Sequence, residues 1–137
     1  MTSKPTVQEA LIYVMVTMSA VDRIVSDAEL SKIGNIVSQL PVFADFDLDR
    51  LVKTAEACGN ILSEDDGLDR ILDVMAEALP KKLHETAYAL AVEIAAVGRN
   101  VRMEEIRFLE LLQDKLHLDK LIIAAIERGA RARHQIA

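Results

Sequence analysis

The chain repeats itself at an offset of 76 residues: Ala20-Val-Asp-Arg-Ile-Val-Ser-Asp-Ala-Glu29 lines up with Ala96-Val-Gly-Arg-Asn-Val-Arg-Met-Glu-Glu105. The matches are Ala20/Ala96, Val21/Val97, Arg23/Arg99, Val25/Val101 and Glu29/Glu105, and gap-free extension adds Glu9/Glu85, Val16/Val92 and Leu40/Leu116. A shared helix–turn–helix unit is the simplest cause: a long apolar helix, a short turn, then an acidic amphipathic helix. The copies span about residues 8–40 and 84–116. Each hairpin carries more apolar surface than it can bury alone, and pairing equivalent halves removes it from water at about 25 cal/mol per Å². This predicts an all-α fold, a compact bundle with an approximate internal two-fold and the two apolar helices as central neighbours.

Periodicity gives seven helices and no convincing strand. The first, about Val7 to Val21, starts at the capping box Thr6-Val-Gln-Glu9 and is apolar almost all round. The second starts at the box Ser26-Asp-Ala-Glu29, turns Leu30, Ile33, Val37 and Leu40 inward, and stops before Pro41. The third, Leu48 to Leu62, uses Leu51, Ala55, Cys58 and Leu62; the fourth, Asp65 to Leu79, uses Leu68, Leu72, Met75 and Leu79. Lys81 to Val97 repeats the first helix, and Met103 to Leu116 repeats the second with Ile106, Leu109, Leu112 and Leu116 inward. A seventh helix, Asp119 to about Arg133, has Leu121, Ile122, Ala125 and Ile126 to dock.

A single domain covering residues 1–137 is large enough to fold without disulfides or metal. With 22 acidic against 16 basic residues the net charge is −6, which repels a phosphate backbone and disfavours nonspecific nucleic-acid binding. The lone Cys58 has no intramolecular disulfide partner, in keeping with a reducing compartment and a cytoplasmic location. The N-terminus runs straight into a capping box rather than a signal peptide. Apolar runs such as Ala10 to Ala20 and Ala87 to Val97 are about half the length that spans a bilayer, so no membrane insertion is expected.

Asp22, Asp27 and Glu29 gather at the first inter-helix turn. Oxygen ligands converging from a loop and the next helix's first turn suit a hard cation such as Ca²⁺, Mg²⁺ or Mn²⁺. The same residues also have structural duties: Glu29 completes the capping box and Asp27 opposes the positive end of the helix dipole. The turn lacks the alternating ligands and glycine of an EF-hand. In the second copy Glu105 takes the place of Glu29 and joins the candidate set. Glu93 lies in Leu90-Ala-Val-Glu-Ile-Ala-Ala-Val97, where burial of a carboxylate demands a partner such as Arg99 or Arg23, or else marks an acid serving a site between the halves. Its counterpart in the first copy is Thr17.

The two turns carry a resemblance. An alanine-rich helix end, an acid with a partner, a small apolar residue and a glutamate a few positions on, as in Ala20-Val-Asp22-Arg-Ile-Val25-Ser-Asp-Ala-Glu29 and again in Ala96-Val-Gly98-Arg-Asn-Val101-Arg-Met-Glu-Glu105, is similar to the repeated motif of the TerB-like tellurite-resistance family. It covers about residues 8–118. The resemblance implies an all-helical, cytoplasmic, bacterial protein connected with tellurite and other chemical stress, with a metal-associated acidic site and no known catalytic reaction. The chain departs from the family's Asp-Gly turn: Arg23 stands where glycine is usual, and the second copy has Gly98 one position early and no acid. A metal site would therefore be lopsided, favouring the first turn.

Elsewhere the chemistry is thin. His84, His117 and His134 lack zinc-ligand spacing, the glycines are isolated rather than grouped around a phosphate, and Cys58 sits at core spacing. Arg128, Arg131 and Arg133 form one basic cluster, first of all favoured by the dipole at a helix C-terminus, and otherwise a docking patch for an acidic protein, for head-to-tail self-association, or less readily for a membrane surface or RNA. Three functions follow: a noncatalytic stress-response scaffold that binds partner proteins, with or without a divalent cation; a metal-dependent hydrolase or sensor using the acidic cluster; and a regulatory domain touching nucleic acid through its basic tail.

Overall fold

The computed structural model describes residues 4–20, 25–97 and 102–137, and these form an all-α bundle without strands. Its seven α-helices are α1 (Val7–Ser19), α2 (Asp27–Gln39), α3 (Leu51–Leu62), α4 (Gly67–Ala78), α5 (His84–Val97), α6 (Met103–Lys115) and α7 (Lys120–Arg133). Short 3-10 turns at Pro41–Phe43, Leu48–Arg50 and Lys81–Leu83 lead between them. The third and fifth helices expected from periodicity each begin with one of these tighter turns.

Apolar residues on nearly every face of α1 leave it no side to show to water. Ala10 to Met18 are buried without interruption, and α1 packs on α2, α3, α4 and α5. Its closest partner is α5, the equivalent helix of the second copy, as the repeat predicts. Both first-copy capping boxes are made: Glu9 N–H reaches Thr6 Oγ1 at 3.1 Å and Glu29 N–H reaches Ser26 Oγ at 3.1 Å.

The repeat extends beyond the hairpin. Helices α2 and α6 coincide residue for residue under the 76-residue offset. In each half the apolar helix also packs on a third, α1 on α3 and α5 on α7. Helix α4 then closes the bundle against α1, α3 and α6. Its entry is tight: Asp66 takes φ 60°, and a Cβ on Gly67 would meet the Leu62 carbonyl oxygen at 2.3 Å. Only glycine fits there.

Three inward assignments are corrected. Ile106 is 42% exposed and Leu121 80% exposed, and Ala125 is exposed on the same face as Leu121. Helix α6 instead buries Phe108 and Leu112, one turn apart, which rotates Ile106 outward. Helix α7 is oriented by polar partners on α5, described below, so that Ile123, Ile126 and Ala130 face the core. No helix among the described residues is long and apolar enough to cross a membrane.

Candidate functional site

Helix α2 is the least embedded of the helices around α1. Its contacts go mainly to α1 and to the 3-10 turns at Pro41–Phe43 and Leu48–Arg50, and it stands off from α3. Between them lies an apolar groove. Its larger part, about 840 Å³, has Val16 and Ala20 from the end of α1, Val25 and Leu30 on the α2 side, and Val52, Ala55, Gly59 and Leu62 on the α3 side. A smaller, more polar part, about 410 Å³, continues past Leu30 to Gly34, Leu48 and Leu51, with Ser31, Asn35 and Ser38 along its α2 side. Val52 and Leu48 are 53% and 47% exposed, large values for side chains with no polar atom. Among the described residues, the charged side chains lining the two parts are Asp27 and Glu56, both acidic and both exposed. Mostly apolar walls with acidic groups at the rim are the chemistry of surfaces that pack against other apolar surfaces.

Of the carboxylates singled out from sequence, Asp27 lines both parts of this groove. Glu29 lies one turn into α2, where its Oε1 accepts the Ser26 N–H at 3.0 Å. Glu105 makes the same contact in α6, accepting the Arg102 N–H at 3.0 Å. That second box is only half built, since an arginine side chain at the N-cap has no acceptor to offer the helix. Asp22, Arg23, Gly98 and Arg99 lie outside the described residues. Among those described, no three His, Cys, Asp or Glu side chains are grouped to hold a metal ion. Asp27 and Glu29 by themselves fall short of the six to eight oxygens of a calcium shell.

Glu93 finds its partners in the seventh helix. Arg133 Nη2 donates to Oε1 and His134 Nε2 to Oε2, each at 2.6 Å. Burial pushes the Glu93 carboxyl up, but these hydrogen bonds and the neighbouring positive charges outweigh it and hold the carboxyl below its ordinary value. Under the 76-residue offset Glu93 matches Thr17 and His134 matches Cys58. Thr17 Oγ1 and Cys58 Sγ lie 3.5 Å apart, wholly buried. One position of the fold thus holds a buried neutral pair in the first half and a partly exposed carboxylate–imidazole hydrogen bond in the second.

Sequence reasoning did not find Tyr88. Its ring is fully buried, Gln113 Nε2 donates to its hydroxyl at 2.7 Å, and that hydroxyl donates to Glu127 Oε2 at 2.5 Å. Burial and the Glu127 carboxylate raise the Tyr88 hydroxyl well above its ordinary value. This chain ties α5, α6 and α7 together. Its only sequence signal is a large polar ring in an alanine-rich helix.

The C-terminal arginines divide. Arg133 is occupied by Glu93, whereas Arg128 and Arg131 are exposed and pair with no other described residue. A second cleft of about 560 Å³, where α1, α3 and α4 meet, is lined by charges that already satisfy one another, Lys4 with Glu77 at 3.0 Å and Arg70 with Glu64. Among protein-family models, curated proteins and solved structures, none matches this chain.

Proposed function

We propose that this chain is a noncatalytic interaction scaffold of the TerB-like, stress-response type, and that it holds a helical segment of a partner protein in the groove between α2 and α3. The observation that carries the reading is the groove itself: a mostly apolar larger part, exposed Val52 and Leu48, and Asp27 and Glu56 at the rim. An amphipathic helix lays one apolar face into such a surface, and basic residues flanking that face answer the acidic rim. The stress assignment comes from the resemblance at the two turns. No step in this function runs through a cation.

The test is a nuclear magnetic resonance titration of labelled chain with a synthetic amphipathic helix bearing leucine on one face and arginine beside it. Amide shifts should concentrate at Ala20, Leu30, Val52 and Gly59, and Val52→Asp should weaken binding about ten-fold or more. Shifts scattered over the surface, or none, would refute the groove. The stress role is tested by growth in tellurite of cells lacking the chain: wild type should restore it and Val52→Asp should not. Unimpaired growth without the chain would refute that role.

A further inference from the structure

The same molecule carries an exposed face whose chemistry complements the groove. Helix α7 docks on the bundle through Ile123, Ile126, Glu127 and Ala130, a stripe at helical spacing fixed by the Tyr88–Glu127 hydrogen bond and by Glu93 holding Arg133 and His134. The opposite stripe, Leu121, Ala124, Ala125 and Arg128, is exposed along its whole length. Leu121, at 80% exposure, is the most exposed of the large apolar side chains among the described residues. It begins a stripe of small residues that ends in arginine, with Arg131 beside it on the next turn. Leu121 to Arg128 spans about 10.5 Å of helix axis, as does the groove wall from Val52 to Gly59.

We infer that α7 of one copy occupies the α2–α3 groove of the next, so that the chain assembles head to tail. The inference rests on the groove being a docking surface, as proposed above, and names its occupant as a second copy. Leu121 and the alanines supply a low apolar ridge that the backbone can bring close to Val52, Ala55 and Leu30. Arg128 and Arg131, which pair with no other described residue, meet Asp27 and Glu56 across the rim, opposite in sign to both of these described acids. Donor and acceptor surfaces are different patches, so the contact is heterologous. Each bound copy leaves a groove open at one end and an α7 stripe at the other, and growth continues into filaments or closes as a ring.

Sedimentation of the full chain across a concentration series tests this. The weight-average mass should rise past that of a dimer, and higher salt should lower it by screening the rim. Val52→Asp and Leu121→Asp alter exposed positions that the core does not use, and each alone should remain monomeric with an unchanged circular dichroism spectrum. Mixed together they should give a one-to-one dimer and nothing larger, because one intact groove then meets one intact α7. A wild-type chain that stays monomeric overturns the inference, as does a Leu121→Asp variant that still self-associates. Groove amides that shift with the synthetic helix while the chain stays monomeric would leave the docking reading standing and overturn self-assembly alone.

Discussion

One structural position, filled differently in the two halves, shows what single residues do in this fold. Thr17 and Cys58 meet where the first apolar helix is sealed on every side, so neither carries charge. Burial pushes the Cys58 thiol up to about 12. The thiolate is the reactive species, and at pH 8 it amounts to about one part in ten thousand. Folded protein should therefore react with an aromatic disulfide reagent orders of magnitude more slowly than denatured protein, and rapid labelling at native pH would contradict the packing. Glu93 behaves oppositely because its lowered carboxyl is worth most when ionised. Stability from it is present above the unfolded carboxylate pKa and is lost as pH falls through the lower folded value. Glu93→Gln should cost about 0.5–1 kcal/mol at neutral pH, a modest figure because Arg133 is well exposed. The difference from wild type should shrink to nothing in acid, as followed by denaturant melts or by amide exchange in the last turn of α7. The sequence marks Glu93 as a residue that needs a partner, since no carboxylate sits unpaired in so apolar a stretch. It does not reveal which partner, because Arg133 lies 40 positions away and is brought close only by the docking of α7.

At the scale of elements, helix starts are easier to read than helix faces. A capping box is a local contract among four residues, and Thr6–Glu9 and Ser26–Glu29 both appear where the sequence places them. The inward face is settled by neighbours, which is why Ile106 and Leu121 turn outward despite suitable spacing. Helix ends carry local strain that apolar periodicity does not show. Helix α6 finishes with Leu118 N–H on the Gln113 carbonyl at 3.1 Å and His117 N–H on the Asp114 carbonyl at 3.2 Å, a Schellman closure. That closure needs a left-handed residue, and His117 supplies it at φ 53° with a side chain that penalises the conformation. His117→Gly should raise stability by about 1 kcal/mol. The converse holds at the start of α4, where Gly67→Ala drives a methyl into the Leu62 carbonyl and should cost at least about 2 kcal/mol. Thermal melts of the two variants should move in opposite directions; a destabilised His117→Gly would mean the imidazole contributes something the backbone geometry does not.

For the whole molecule, the central pairing follows from sequence and the groove does not. Two helices apolar on every side can be satisfied only by each other and a surrounding shell, and α1 against α5 is that solution. The groove exists because α2 is held off α3 by 3-10 turns around Pro41 and Leu48, short irregular segments whose periodicity says nothing about where the next helix will lie. The central pairing also fixes how the chain folds. Helix α1 packs on α2 and α3 from its own half and on α4 and α5 from the other, so each half lacks part of the surface that buries its own apolar helix. Severing the chain between Asp65 and Asp66, in an exposed turn, tests this without touching the core. The fragments 1–65 and 66–137 should each show helix but no cooperative melt, since losing the facing helix uncovers side chains such as Leu11, Met15 and Ala91, all wholly buried in the intact bundle. Mixed at equal concentration they should recombine into one species that unfolds in a single transition, as expected when one core is shared by both repeats. A fragment that melts cooperatively alone would show instead that the repeat is two domains joined end to end, and the contact between α1 and α5 would then be an interface rather than a core.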